Sequence, residues 1–144
     1  MSATAGGAEN ESVSRLGFQP GMVVQELGWD EDIDEGLRAG IETVIGSTLV
    51  DDDYRDVVDA VILWWREEDG DLVDGLVDSL TDLADGGVIW LFTPKVGRAN
   101  HVDPSDIAEA APTAGLSTTT SLAAGPDWSG TKLVAPKAAR SGRR

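Results

Sequence analysis

The sequence predicts an α/β protein built on an open, mostly parallel, doubly wound sheet. Two short apolar runs, Val58–Trp65 and Gly87–Phe92, are rich in β-branched and aromatic residues and lack polar alternation. Such runs are buried on both faces, which is typical of central strands in a parallel sheet. A segment of helix length with helical apolar spacing, Asp71–Leu83, separates them. The three segments therefore form a β-α-β unit, and we expect about six strands and three helices in all.

Upstream of this unit, the pattern predicts a strand, a helix and a second, short strand. Met22–Leu27 is predicted as a strand that follows the turn Gln19-Pro20-Gly21. Apolar residues recur at every fourth position of Glu31–Ile45, so this segment is a helix with one apolar stripe. Thr48–Val50 is predicted as a short strand that precedes a polar connection to the first central strand.

The carboxyl-terminal part predicts a third helix and an antiparallel edge hairpin. Asp103 is a good N-cap, Pro104 fits the first helical position, and the helix ends before Gly115. Thr118–Leu122 and Thr131–Ala135 follow as strands. The connection between these strands is too short for a crossover helix, so they are expected to be antiparallel neighbours.

Length and composition indicate one domain flanked by two tails. A chain of 144 residues can bury a core large enough to fold without a metal or a disulfide. Residues 1–14 are predicted to be a disordered tail, residues 15–137 the folded domain, and residues 138–144 a basic disordered tail. We recognise no signal peptide and no apolar run long enough to span a membrane, so we expect a cytoplasmic protein.

Charge is the strongest bias in the composition. The chain holds 26 acidic and 11 basic residues, a formal net charge of −15. Every acidic residue precedes Trp128, whereas the last eight residues include Lys137, Arg140, Arg143 and Arg144. Such a field repels nucleic acid and anionic membranes. It either serves solubility or attracts a basic protein, and we expect a protein partner or self-association, with no nucleic acid, membrane or metal.

The inventory of chemically active residues does not specify an enzyme. Cysteine is absent and His101 is the single histidine, which excludes thiolate and histidine-based metal sites. An acidic cluster that begins at Asp30 has Glu35 and Ile41 where a calcium loop requires glycine and glutamate. No nucleophile elbow, P-loop or Gly-x-Gly-x-x-Gly pattern occurs. We therefore expect neither catalytic residues nor a metal.

Several turn and packing motifs carry a resemblance to a known family. They are LGFQPGM at 16–22, the Gly86-Gly87 pair, the strand end Thr93-Pro94-Lys95, the helix end Ala114-Gly115-Leu116 and DWSGTKLV at 127–134. Over residues 14–136 the chain resembles a small bacterial family of unknown function, its actinobacterial branch in particular. These motifs are structural rather than catalytic, so the resemblance implies a fold and no activity.

More distantly, the succession of a helix, a Gly-Gly turn, an apolar strand, another helix and a terminal hairpin resembles the C-terminal half of class I methyltransferases, which use S-adenosylmethionine. The resemblance implies a truncated sheet of strand order 2-1-3-4-6-5, with the last strand antiparallel. Such enzymes have a glycine-rich loop after the first strand, where this chain has only Gly28, followed by Trp29 and three acids. Asp51 stands where they place an acid that holds ribose hydroxyls, and it suits a solvated turn equally well. We therefore expect no bound cofactor.

Two groups of residues remain as candidate sites. The first comprises Trp29, Trp64 and Trp65, with Asp51, because strands that end side by side would bring the three tryptophans to the crevice where open α/β sheets bind ligands. Core packing explains at least one of the adjacent pair, since neighbouring strand residues face opposite sides. The second group is a basic contact patch that either relieves self-repulsion or docks an anionic group; it consists of Lys95, Arg98, His101 and Lys132.

From these observations we interpret the chain as a non-catalytic binding or regulatory protein on a degenerate methyltransferase-like scaffold. A divergent S-adenosylmethionine-dependent methyltransferase is the alternative, and a small-ligand sensor that uses the crevice at the strand ends is another. An exposed apolar patch would favour a protein partner, whereas a deep pocket at the strand ends would favour a small ligand.

Overall fold

A computed structural model describes residues 13–135 and contains a five-stranded sheet of order β1-β2-β3-β5-β4. In chain order the elements are β1 (Val24–Leu27), α1 (Glu35–Ile45), β2 (Val58–Trp64), a 3-10 turn (Glu67–Asp69), α2 (Leu72–Ser79), β3 (Leu83–Pro94), α3 (Pro104–Thr113), β4 (Ser117–Ala123) and β5 (Trp128–Val134). The tail predicted at residues 138–144 and all but the last two residues of the tail predicted at 1–14 lie outside the described residues. Those two, Val13 and Ser14, lie in a helical turn over residues 13–16, and Val13 is buried against α1.

The predicted fold class is confirmed: β1, β2 and β3 are parallel, and β5 and β4 close one edge as an antiparallel hairpin. When the six predicted strands are numbered in chain order, with the bridge at Val50 as the second, their spatial order is the expected 2-1-3-4-6-5. The predicted strand Thr48–Val50 is reduced to a single parallel bridge between Val50 and Gln25. It stops there because the chain turns at once, with the Asp53 amide donating to the Asp51 carboxylate at 3.0 Å.

Three boundaries differ from the prediction: the start of α1, the end of α2 and the limits of β3. The first helix begins at Glu35, not at Glu31, because the Asp34 carboxylate accepts the Leu37 amide as its N-cap. The second helix ends at Ser79, and β3 begins at Leu83, which pairs with Val58. Pairing with β5 then carries β3 on to Pro94, so this strand is longer than the predicted Gly87–Phe92.

Two apolar layers cover the sheet, and β2 contributes to both. Ile62 and Trp64 face the layer that contains α1, whereas Val61 and Leu63 face the layer that contains α2 and α3. All four are at most 3% exposed, which confirms that this run is buried on both faces. Among the described residues, no helix combines the length and the apolarity needed to cross a bilayer.

Candidate functional site

The carboxyl ends of β1 and β2 lie side by side. Gly28 follows β1 with φ +77°, and a Cβ atom at this position would collide with the carbonyl of Trp64. A side chain here would be both strained and obstructed, so glycine is required for this approach. The single glycine of the first βα turn therefore serves strand packing.

Arg66 closes the crevice between these two strand ends. It is the second residue after β2 and is only 5% exposed. Its Nη1 donates to the carbonyl oxygen of Gly28 at 2.8 Å and to that of Trp64 at 3.3 Å. The guanidinium therefore binds both strand ends at once and occupies the space between them.

Acidic and aromatic groups hold the Arg66 guanidinium in place. Asp32 accepts from Nε at 3.0 Å and also from Nη2, and this hydrogen bonding lowers the pKa of Asp32 below its ordinary value, although burial opposes it. Asp69 accepts the Arg66 amide at 2.9 Å, and the Trp128 ring lies 5.4 Å from the guanidinium carbon. Burial by itself would lower the pKa of Arg66, but Asp32 and Asp69 raise it above its ordinary value.

A second ion pair, with a buried carboxylate, lies beneath the crevice on the α1 side. Glu26 is 7% exposed. Nε of Arg38 donates to both of its carboxylate oxygens, at 2.9 Å in each case. Trp64 donates its Nε1–H to the same carboxylate at 3.0 Å. Its ring packs against those of Phe92 and Trp128, with centroids 4.8 Å and 5.0 Å away. Trp64 is therefore a core residue whose indole N–H satisfies a buried carboxylate.

Sequence reasoning missed both ion pairs. The available signal for Arg66 was its position, a basic residue directly after the predicted, mostly apolar strand Val58–Trp65 in an acidic part of the chain. The signal for Glu26 was a carboxylate inside an apolar strand, which requires a partner when buried. Neither signal identifies the partner, because Asp32 and Arg66 are 34 positions apart.

A groove of about 710 Å³ lies over β1 on the side of the sheet that carries α2. Its floor includes Gln25 and Leu27, one wall is formed by α2 and the residues after it, and the other wall by Asp52 and Arg55. Trp29, 53% exposed, and the half-buried Trp65 lie at its upper end, which is the end next to the carboxyl ends of β1 and β2. All three predicted crevice tryptophans line this groove, but Trp64 is fully buried, so Trp29 and Trp65 are the two with exposed surface there.

Gly75 of α2 is what allows Trp65 to lie against the helix. A Cβ atom at position 75 would be 2.5 Å from Cζ3 of Trp65. The ring therefore packs on bare helix backbone and also lines the groove. The predicted helix thus makes room for Trp65 because Gly75 has no side chain, and apolar periodicity does not reveal this role.

Asp51 lines a neighbouring cavity of about 490 Å³ together with Gly28, Trp29 and Arg38. Its carbonyl oxygen accepts from Gln25 Nε2 at 3.0 Å, while its carboxylate accepts the Asp53 amide. The exposed carboxylates of residues 51–53 can approach within 4.8 Å of one another, as acidic turns often do. Gly28, Trp29 and Asp52 line both this cavity and the groove.

The predicted basic patch is not gathered into one site. Arg98 pairs with Asp127 at 3.0 Å, and the His101 ring nitrogen Nδ1 lies 2.8 Å from the Pro94 carbonyl oxygen. Lys95 precedes them in the same loop. Lys132 pairs in register with Trp90, four residues from the end of β3, which places it about 13 Å along the strand from that loop.

Several solved structures similar to this one are methyltransferases. A magnesium protoporphyrin IX methyltransferase from Synechocystis PCC 6803 with bound S-adenosylmethionine gives a TM-score of 0.57 at 12% identity, covering 92% of this chain and 78% of that one. A methyltransferase from Pyrococcus furiosus gives 0.55 at 14% identity, covering 90% and 82%. One from Aquifex aeolicus gives 0.55 at 12% identity, covering 88% of each chain. The chain therefore has the class I methyltransferase fold.

The chain belongs to the family described as "Protein of unknown function (DUF3052)", which matches residues 13–137. Two mycobacterial relatives are the uncharacterized proteins Mb2263c of Mycobacterium bovis and Rv2239c of Mycobacterium tuberculosis. Each is 53% identical over 130 residues, which is 90% of this chain and 81% of the relative. The resemblance to a small family of unknown function is thereby confirmed.

Proposed function

We propose that this protein is a non-catalytic cytoplasmic binding or regulatory protein on a methyltransferase fold. The observation that carries the proposal is the Arg66 guanidinium, which fills the crevice between the ends of β1 and β2. In open α/β sheets that crevice is the usual place for a ligand. Here a side chain of the protein itself occupies it.

Opening the crevice would be energetically costly. A ligand there would have to displace Arg66 from the carbonyls of Gly28 and Trp64 and from its ion pair with Asp32. Each buried polar group left without a partner costs about 1–3 kcal/mol. A small cofactor would have to supply equivalent donors in the same positions before it gained any net affinity.

A divergent S-adenosylmethionine-dependent methyltransferase is the second candidate, and one observation favours it. Asp51 and Gly28 line a common cavity of about 490 Å³ beside β1. In the methyltransferases that this chain resembles, an acid after the second strand holds the cofactor's ribose. Asp51 would have that role here.

Calorimetric titration of the full chain with S-adenosylmethionine and S-adenosylhomocysteine tests the two candidates against each other. We expect no saturable binding with a dissociation constant below about 100 μM, which corresponds to a binding free energy of about 5.5 kcal/mol. A class I methyltransferase titrated in the same buffer is the positive control. Tighter binding that is lost in Asp51→Asn would overturn the non-catalytic proposal and favour the methyltransferase.

The class of partner that we propose is a protein. A net charge of −15 disfavours nucleic acids and anionic membranes. The same charge speeds association with a basic partner, with a strong dependence on salt. A small-ligand sensor would use the groove beside Trp29, and the titrations below include a small ligand for that reason.

A further inference from the structure

We propose that the groove between α2 and the segment that holds Asp52 and Arg55 binds an extended, arginine- or lysine-bearing segment of a partner protein. This inference rests on the proposed binding function and names the chemistry of its partner. The groove is open along its length and encloses about 710 Å³. Three independent features of its lining favour a cationic segment.

The first feature is the pair of indole rings at the upper end. Trp29 is 53% exposed, so about half of its surface is free to contact a ligand. Trp65 is held against α2 by the absence of a side chain at Gly75. Indole faces attract guanidinium and ammonium groups, arginine most often. Two such rings at one end of a groove form a receptor for a cationic side chain.

The second feature is uncompensated negative charge. The carboxylates that line the groove are Asp30, Asp52, Asp69, Asp78 and Asp82. Within residues 13–135, only Asp69 of these five forms an ion pair, and its partner is Arg66. The other groove cation, Arg55, donates its Nη1 to the carbonyls of Asp52 and Tyr54 and so is held on its own turn. The walls are therefore available to external cations.

The third feature is a buried acceptor in the floor. Gln25 is 5% exposed, and its Nε2 donates to the Asp51 carbonyl at 3.0 Å. Its Oε1 has no hydrogen-bond partner in the part of the chain that the structure describes. A buried acceptor without a donor is unfavourable. An N–H group from a bound segment would satisfy it.

The spread of the acids favours an extended segment over a compact ligand. At one end, Asp82 lies beside Val58, because the Val58 amide donates to the Asp82 carbonyl oxygen at 2.9 Å. At the other end, Trp29 and Asp30 lie beyond Leu27, which pairs with Leu63. Val58 and Leu63 are five residues apart on β2, or about 17 Å. That span matches about five residues of extended chain, so several basic side chains can bind simultaneously.

Titration of the isotope-labelled full chain with a capped nine-residue peptide of alternating glycine and arginine tests the proposal. The tryptophan indole N–H resonances are the readout. We expect those of Trp29 and Trp65 to move saturably, and those of Trp64, Trp90 and Trp128 to stay, because their N–H groups are hydrogen-bonded inside the protein. The same peptide with citrulline in place of arginine keeps the shape without the charge and should not bind.

Matched variants separate the groove from the general acidic field. Asp78→Asn with Asp82→Asn should weaken peptide binding about fivefold, and Trp29→Ala about threefold. Asp74→Asn with Asp85→Asn removes the same charge outside the groove and should weaken it by less than about twofold. Equal losses in the two double variants, or no movement of Trp29 and Trp65, would overturn the groove assignment.

Two other occupants are outcomes of the same experiment. Spermidine that binds as tightly as the peptide would identify a small polycation site instead of a docking groove. Movement of the Trp29 and Trp65 resonances when Lys137, Arg140, Arg143 and Arg144 are changed to Gln would identify the chain's own basic segment as the occupant. Either result overturns the partner assignment. Neither result bears on whether the protein is non-catalytic, which the titration with S-adenosylmethionine tests.

Discussion

Asp32 and Arg66 form a bidentate ion pair that joins the loop before α1 to the end of β2. Nε and Nη2 of Arg66 donate to the two carboxylate oxygens of Asp32. The arginine side chain is 6% exposed and the aspartate side chain 54% exposed, so the pair lies at the boundary between core and solvent. Through this contact, the loop that begins at Gly28 is held over the strand ends. The pair therefore determines that the crevice is closed.

Replacing Arg66 should destabilise the fold far more than replacing Asp32. Arg66→Ala leaves the Gly28 and Trp64 carbonyls without their donor and should cost about 3–5 kcal/mol in the free energy of unfolding. Asp32→Asn keeps a polar partner at a half-exposed position and should cost about 1 kcal/mol or less. Urea denaturation at pH 7 measures both, with Glu31→Gln as an exposed acid-to-amide control. Equal costs for Arg66→Ala and Asp32→Asn would contradict the role assigned to Arg66.

The contribution of Asp32 to stability should disappear in acid. Its pKa is lowered in the folded state by the hydrogen bonds from Arg66, against an ordinary value of about 3.9 in the unfolded chain. The unfolded state therefore binds more protons between these two pKa values, and stability rises with pH across that window. The difference in urea midpoint between the wild type and Asp32→Asn should be constant above about pH 5 and shrink as the pH falls below about 4. A difference that grows on acidification would reverse the assigned sign.

Truncation of two tryptophans should destabilise the protein to very different extents. Trp90 is 1% exposed, stacks on Phe92 and donates its Nε1–H to the Leu16 carbonyl at 2.9 Å. Trp90→Ala should therefore cost about 3–5 kcal/mol. Trp29→Ala, at the rim of the groove, should cost less than about 1 kcal/mol and mainly affect binding. Chemical denaturation of both variants decides the matter, and a Trp29→Ala cost as large as that of Trp90→Ala would make Trp29 a core residue.

Gly75 and Trp65 should be energetically coupled. Alanine favours a helix interior over glycine by about 1 kcal/mol, so Gly75→Ala would normally stabilise α2. Here the new Cβ atom would be 2.5 Å from the Trp65 ring, and the ring must move. We expect Gly75→Ala to give no stabilisation in the wild type but the full helix gain in a Trp65→Ala background. A double-mutant cycle measures the coupling, and additive effects would show that Trp65 does not depend on position 75.

The fold was predictable because burial on both faces leaves a local signature. The runs around Val61 and Ile89 lack polar alternation, and both became central parallel strands. The short link between the last two strands required an antiparallel hairpin, which was found. Helix boundaries were less accurate: Asp34 is one of several acids close together before α1, so its capping role was not evident, and α2 ends at Ser79 rather than at the predicted Leu83.

The candidate site was only partly predictable, because adjacent residues of a strand face opposite sides of the sheet. Trp64 and Trp65 are alike in sequence, yet one packs in the core against Phe92 and the other lies on Gly75 at the groove. Which one is buried depends on which face α1 covers. That arrangement is set by contacts between distant segments and by no local pattern.

The sequence by itself determined the α/β class, the parallel centre and the edge hairpin, since apolar periodicity and link length are properties of neighbouring residues. Only the tertiary structure decided that Arg66 would pair with Asp32 and close the crevice, and that Glu26 would be buried with Arg38. A chain with 26 acidic residues offers each arginine many possible partners. The choice among them depends on which strand ends become neighbours, and that is settled only when the sheet assembles.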